Sequence, residues 1–273
     1  MTSLATFSIA EWSAYLALGL FAGFVAGLLG VGGGLVIVPV LALIFAAHHF
    51  PEQHVMHLAL GTSLASIIFT SISSFRAHQA HGAVNWKIWR EVTPGIVTGT
   101  LLGSVLAAYL SAYSLKVFFV AFVFYVGTQM LLDVKPKASR ELPGLPGMFA
   151  AGNVIGVVSS LVGIGGGTVS VPFMTWCNVK LHQAIGTSAA IGLPIALAGT
   201  AGYVANGLAV GGKLPPYSLG FVYLPALAVI VVASILTAPW GAKLAHRLPV
   251  KRLKKIFAVL LYTLGIRMAV SLF

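Results

Sequence analysis

Ten stretches of this chain are apolar over most of their length, which leaves it few folds to adopt. They run roughly over 12–30, 34–49, 54–75, 88–110, 114–132, 148–164, 167–178, 182–205, 217–240 and 253–273. A helix needs about 20 apolar residues to cross the hydrocarbon core of a bilayer. Within that core every backbone N–H and C=O must be satisfied by the protein itself, which selects helices. A mean hydropathy of +0.98 agrees with this. The pattern predicts an all-α membrane protein. Two stretches, 34–49 and 167–178, are short. The polar, proline-rich DVKPKASRELPGLPG over 133–147 reads as a linker on the cytoplasmic side. It separates a first five-segment half, 1–132, from a second, 148–273.

The charge balance orients these segments. Sixteen Lys and Arg against five Asp and Glu give a formal charge of +11. In a water-soluble chain that excess would point to nucleic acid. Here it reads as the loop bias that sets orientation in a bilayer, and no nucleic-acid partner is expected. If the loops are numbered alternately, one side holds Arg76, Lys87, Arg90, Lys135, Lys137, Arg140, Lys180, Lys243, Arg247, Lys251, Arg252, Lys254 and Lys255. The other side holds Lys116, Lys213 and Arg267. The richer side is cytoplasmic by the positive-inside rule, which places both termini outside. The opening MTSLATFSIAEW lacks the basic start of a signal peptide, so the first apolar run is expected to be retained. The single cysteine, Cys177, excludes an internal disulfide.

The halves repeat. Gly32-Gly33-Gly34 and Pro39 recur 133 residues later as Gly165-Gly166-Gly167 and Pro172. HLALGTS (57–63) recurs as HQAIGTS (182–188), and Leu115, Lys116, Gly127 and Met130 recur as Leu253, Lys254, Gly265 and Met268. An odd number of segments per half makes the second copy enter from the opposite face. That is the inverted-topology repeat of many secondary transporters.

Three consecutive glycines inside an apolar run are costly in a helix, roughly 1 kcal/mol each relative to alanine. Glycine-broken helices at matching places in two inverted halves point to a midplane binding site. Close helix packing is the other reading. A short helix begins after each triplet, near Leu35 and near Thr168. Its first N–H groups lack intrahelical partners and carry partial positive charge. They can receive an oxyanion without a basic side chain.

A ten-segment chain with GLLGVGGGLVIVP (27–39) in one half, SLVGIGGGTVSVP (160–172) in the other, and Gly-Thr-Ser after each resembles the TauE/SafE family of sulfite and organosulfonate exporters. The resemblance spans both halves. It implies outward transport of sulfite or a short organosulfonate such as sulfoacetate across the cytoplasmic membrane of a bacterium or archaeon. The expected partners are that small anion and the lipid bilayer; an oligomer is compatible with the sequence, and no cofactor is called for.

Candidate substrate-binding residues are Gly32, Gly33, Gly34, Gly165, Gly166 and Gly167, with Thr62, Ser63, Thr187 and Ser188 of the two Gly-Thr-Ser copies. Hydroxyls can donate to an anion without the desolvation cost of a buried ammonium, or they can bond to nearby backbone. Thr168 and Ser170 add hydroxyls to the second copy alone, since Leu35 and Ile37 stand at the matching places. His57 and His182 correspond, and each is either a structural histidine or a protonatable group near an entrance. Arg76 is either a snorkelling anchor or an anion-gathering charge.

The run HHFPEQHVMH (48–57), with four histidines, supports an alternative: a transporter of divalent transition metals. Against it, Glu11, Glu52, Glu91, Asp133 and Glu141 all lie at segment ends or in loops, whereas cation pathways carry intramembrane carboxylates. An enzyme is not expected. His57 and His182 each stand six residues before their serines, nearly two helical turns away.

The orientation is testable. A reporter active only outside the cell should work when fused after Phe273 and fail when placed at Lys137. A cytoplasmic signal from the C-terminal fusion would refute the loop-charge orientation.

Overall fold

The computed structural model describes residues 9–29, 32–132, 139–211, 214–245 and 250–272. Asp133, Lys135, Lys137, Lys213 and Arg247, and with them the first part of the expected linker, lie outside the described residues. Each of the ten apolar runs carries an α-helix: α1 (Ile9–Leu29), α2 (Gly34–Ala47), α3 (Val55–Ala80), α4 (Trp86–Tyr109), α5 (Ala112–Leu131), α6 (Leu145–Val162), α7 (Gly167–Trp176), α8 (Leu181–Ala209), α9 (Leu224–Ala245) and α10 (Val250–Val270).

Not all ten are built to cross a membrane. Seven are long and apolar enough among the described residues: α1, α3, α4, α5, α6, α8 and α9. At 1.5 Å per residue, the 14-residue α2 and the 10-residue α7 reach only about 21 and 15 Å, short of a core about 30 Å thick. Helix α10 is long enough, but it opens with Lys251, Arg252, Lys254 and Lys255.

The expected helical run over 217–240 begins differently. Residues 218–223 form a small antiparallel hairpin, with Ser218 opposite Tyr223 and Leu219 opposite Val222. Pro215 and Pro216 precede it, and Gly220, at φ 54°, takes the first place in the two-residue turn. That is the place a glycine favours in a tight hairpin. The helix starts only at Leu224.

The helices pack across the halves in a regular way. Helix α1 lies along α9, α4 along α6, α3 along α8 and α5 along α10. Exchanging α1–α5 for α6–α10 maps this set of pairs onto itself. Small residues make the closest pairs. Gly95, Gly99 and Gly103 of α4 face Phe149, Asn153 and Ser160 of α6, so closely that a methyl group on any of the three would overlap them. Gly19 and Gly23 of α1 meet Ala233 and Ser234 of α9 in the same manner. Apolar association cannot drive helices together in lipid, so close backbone approach between small residues supplies the contact.

Each short helix returns toward the start of the helix before it. Glu11, near the start of α1, pairs with His48 at the end of α2 (2.9 Å). Ser139 and Arg140, which lead into α6, donate their N–H groups to the carbonyl of Trp176 at the end of α7. Helices α1–α2 and α6–α7 are thus two hairpins whose tips are the glycine triplets.

Substituting Gly99→Val should place new carbons on the backbone of Asn153. Overpacking of this kind costs about 1–3 kcal/mol, read as a fall of roughly 2 °C or more in melting temperature in detergent. Leu102→Ala, on the exposed face of the same helix, should leave the melting temperature nearly unchanged.

Candidate functional site

The two hairpin tips share one backbone geometry. Gly33 caps α2 at φ 76°, ψ −12°, and Gly166 caps α7 at φ 77°, ψ −10°. This is the left-handed region, which costs an ordinary L-residue roughly 1–2 kcal/mol. The carbonyl of Gly33 accepts from the N–H groups of Val36 and Ile37, and that of Gly166 from those of Val169 and Ser170. The earlier N–H groups, of Gly34 and Leu35 and of Gly167 and Thr168, have no backbone partner among the described residues. The sequence expectation of helices beginning beside Leu35 and Thr168 holds to within a residue.

The tips meet. A methyl group on Gly32 would lie 3.6 Å from the Cα of Gly165, and one on Gly34 would overlap the carbonyl of Gly163. Breaking the helix and allowing close packing, weighed above as alternatives, are therefore done by the same glycines. Ile67 of α3 and Gly192 of α8 touch this junction, each near the middle of its helix.

The two Gly-Thr-Ser copies divide their work in a way the sequence does not reveal. A methyl group on Gly61 would overlap the carbonyl of Phe221, and one on Gly186 would come 2.6 Å from that of Ala83. Beside them, the Thr62 Oγ1 accepts from the Tyr223 N–H (2.9 Å) and the Thr187 Oγ1 from the Asn85 N–H (2.9 Å). Tyr223 and Asn85 immediately precede α9 and α4. Each Gly-Thr is thus a clip, from α3 to the chain entering α9 and from α8 to the chain entering α4. This gives Thr62 and Thr187 a structural task, away from the hairpin tips.

The serines face the tips instead. The Ser63 hydroxyl donates to the Gly163 carbonyl (2.8 Å), and the Ser170 hydroxyl donates to Ser188 (2.8 Å). Ser159 of α6, which belongs to none of the sequence motifs, is fully buried beside Gly166. Its only sequence signal is its place 133 residues after Ala26, the same spacing that relates the triplets.

The corresponding histidines do not share an environment. His57 is buried, with its Nε2 2.9 Å from the Ala107 carbonyl and its ring against Phe221. His182 is exposed in the first turn of α8. Arg76 is exposed toward the end of α3. The histidine-rich run divides: His48 goes to Glu11, whereas His54 and His57 pack ring to ring beside Phe221, with His57 reaching the α4 terminus. Among the described residues no three His, Cys, Asp or Glu side chains come together to hold a metal.

At the far end of α7, Arg140 lies over the Trp176 ring at 5.0 Å, and the Trp176 Nε1 donates to the Ser139 Oγ (2.9 Å). An open cavity of about 520 Å³ lies there, lined by Arg140, Glu141, Pro143, Phe173, Trp176 and Cys177. Burial pushes the Cys177 thiol above its ordinary range, and the nearby Arg140 charge opposes this. This cavity is at the opposite end of α7 from the glycine tip.

The sequence model described as "Sulfite exporter TauE/SafE" matches residues 15–268. A "Probable membrane transporter protein" of Haemophilus influenzae is 37% identical over 255 residues, covering 93% of this chain and 96% of that protein. A probable membrane transporter protein of Methanocaldococcus jannaschii is 26% identical, covering 94% of this chain and 97% of its own length. One of Bacillus subtilis is 28% identical, covering 83% and 87%. No solved structure matches the chain.

The clip role of the threonines separates from any role in binding. Thr62→Val and Thr187→Val each leave a backbone N–H without its acceptor. Each should cost about 1–3 kcal/mol and lower the melting temperature, with Thr→Ser restoring it. The substrate concentration for half-maximal flux should not change in the protein that folds.

Proposed function

We propose that this chain, which belongs to the sulfite exporter TauE/SafE family and is a membrane transporter, carries a small oxyanion outward through the cytoplasmic membrane by alternating access. The substrate class is sulfite or a short organosulfonate. The observation that carries this reading is the meeting of two glycine-capped helix starts, α2 and α7, halfway along α3 and α8. Two positive dipole ends converge there, and such ends receive oxyanions through backbone N–H groups.

An inverted repeat is supported by the exchange symmetry of the helix pairs and by the two hairpins, which approach one another tip to tip. Helices α2 and α7 act as half-membrane elements of the kind that build transporter sites near the midplane. That both termini share one side is supported by two contacts, and the loop charges are what make that side the outer one. Glu11 near the start of α1 meets the end of α2, and Lys116 near the start of α5 donates to the carbonyl of Ser271, just past α10. Outward transport follows the membrane potential. A negative interior favours anion exit by about 2.3 kcal/mol per charge per 100 mV.

The test is flux in proteoliposomes with sulfite, ethanesulfonate, sulfate, zinc and nickel, for the wild type and for Gly33→Ala and Gly166→Ala. The wild type should carry the sulfur oxyanions and not the metals. A methyl group on Gly166 would lie 2.5 Å from Ile195 Cδ1, and one on Gly33 3.1 Å from the Ala22 carbonyl. Both variants should insert yet lose at least about tenfold in flux, the second-half variant more. Zinc or nickel flux without anion flux would overturn the reading. So would normal anion flux in both variants.

A further inference from the structure

We propose that the oxyanion site is one-sided and free of charge: Ser159, Thr168 and the first N–H groups of α7 hold a monoanion, and dianions are rejected. This rests on the oxyanion reading above and narrows it.

The hydroxyls of Ser159 and Thr168 have no hydrogen-bond partner among the described residues. Ser159 is fully buried, and Thr168 is 8% exposed. Native interiors seldom leave such atoms unpaired, and a polar ligand is one thing that satisfies them. Both sit at the start of α7, where the Gly167 and Thr168 N–H groups also lack backbone partners among the described residues. A methyl group on Gly166 would be 3.5 Å from the Ser159 Oγ, so this hydroxyl stands directly against the helix cap.

The first half supplies an internal comparison. A methyl group on Gly33 would be 3.5 Å from the Ala26 Cβ, which makes Ala26 the spatial counterpart of Ser159 as well as its counterpart in the sequence. Leu35 stands opposite Thr168 and Ile37 opposite Ser170, and all three first-half residues are buried. The two helix caps have the same backbone conformation, but only one is surrounded by donors. An anion at α2 would find two N–H groups among methyl groups, whereas at α7 it meets two N–H groups and two hydroxyls.

The charge around α7 decides which anion fits. Helices α2, α6 and α7 carry no titratable side chain at all. On α3 these are His57, Arg76 and His78, and on α8 His182 and Tyr203. His57, Arg76, His78 and His182 are each at least nine residues, or about 13 Å, along their helices from Ile67 or Gly192, which touch the triplets, and the Tyr203 hydroxyl, which donates to the Ser160 carbonyl beside Ser159, is uncharged. The donors are therefore all neutral. The cost of taking an ion out of water rises with the square of its charge, and here no cation offsets it. A site of this kind takes R–SO₃⁻ or hydrogensulfite. It discriminates against sulfate, fully deprotonated sulfite and sulfoacetate, whose carboxylate adds a second charge. Because sulfite takes up its proton near neutral pH, sulfite flux should fall as pH rises, whereas flux of a simple sulfonate should stay level.

The test uses the full chain in proteoliposomes, with ethanesulfonate, sulfite, sulfoacetate and sulfate as probes between about pH 6 and 8.5. Ethanesulfonate flux should be flat with pH, sulfite flux should follow the hydrogensulfite fraction, and the dianions should be carried at least tenfold less well. Ser159→Ala and Thr168→Val should each raise the half-saturating ethanesulfonate concentration about tenfold or more, as expected for a lost hydrogen bond to a charge. Their melting temperatures should hold or rise, because each removes an unpaired buried hydroxyl. The mirror substitution Ala26→Ser should leave half-saturation unchanged. Equal transport of monoanions and dianions would overturn the proposal. So would wild-type half-saturation in both hydroxyl variants, or a lowered melting temperature with binding intact. In any of those cases anion flux by the wild type leaves the oxyanion reading standing. No flux of any of the four probes overturns both.

Discussion

The structure depends on backbone meeting backbone at its centre. Gly34 lies against the Gly163 carbonyl where any side chain would overlap it, and Gly33 and Gly166 turn the chain through a conformation that other residues adopt only at a cost. The two glycine caps start α2 and α7 at the junction, so the positive ends of both helices lie close together. Irregular backbone at this depth is tolerable in a membrane protein only where it is buried in protein or faces a cavity. The long helices α3 and α8 provide that enclosure by passing the junction at their midpoints.

Around this centre, small residues act as fasteners. The α4–α6 and α1–α9 pairs are drawn together along rows of glycine and serine. The Gly-Thr clips then tie α3 to the start of α9 and α8 to the start of α4. Each clip joins one half of the chain to the other. A shift of α3 or α8 relative to the tips would therefore be transmitted to a helix of the opposite half.

The polar chemistry is concentrated where the two halves differ. The repeat supplies two equivalent helix caps, and the substitutions Ala26/Ser159, Leu35/Thr168 and Ile37/Ser170 make one of them hydrophilic. The matching glycine caps give the two tips one backbone geometry, and differences at three buried positions make their surroundings unequal.

Sequence alone determined the ten helices, the two short ones and the glycine breaks. These follow from hydropathy, from segment length and from the conformational freedom of glycine, all local properties. It did not reveal the hairpin at 218–223, whose residues are apolar enough to extend the helical run, although Gly220 after two prolines marks the turn. It could not separate Thr62 and Thr187 from Ser63 and Ser188. Adjacent residues on a helix point in directions about 100° apart, and only their neighbours decide which faces a helix start and which faces the tips. Nor could it pair His57 with Ala107, fifty positions away, or single out Ser159 from the other serines of the chain. Those assignments belong to the tertiary structure, because they depend on which surfaces of distant helices are pressed together, and in lipid that is settled by close packing and the satisfaction of buried polar groups rather than by hydropathy.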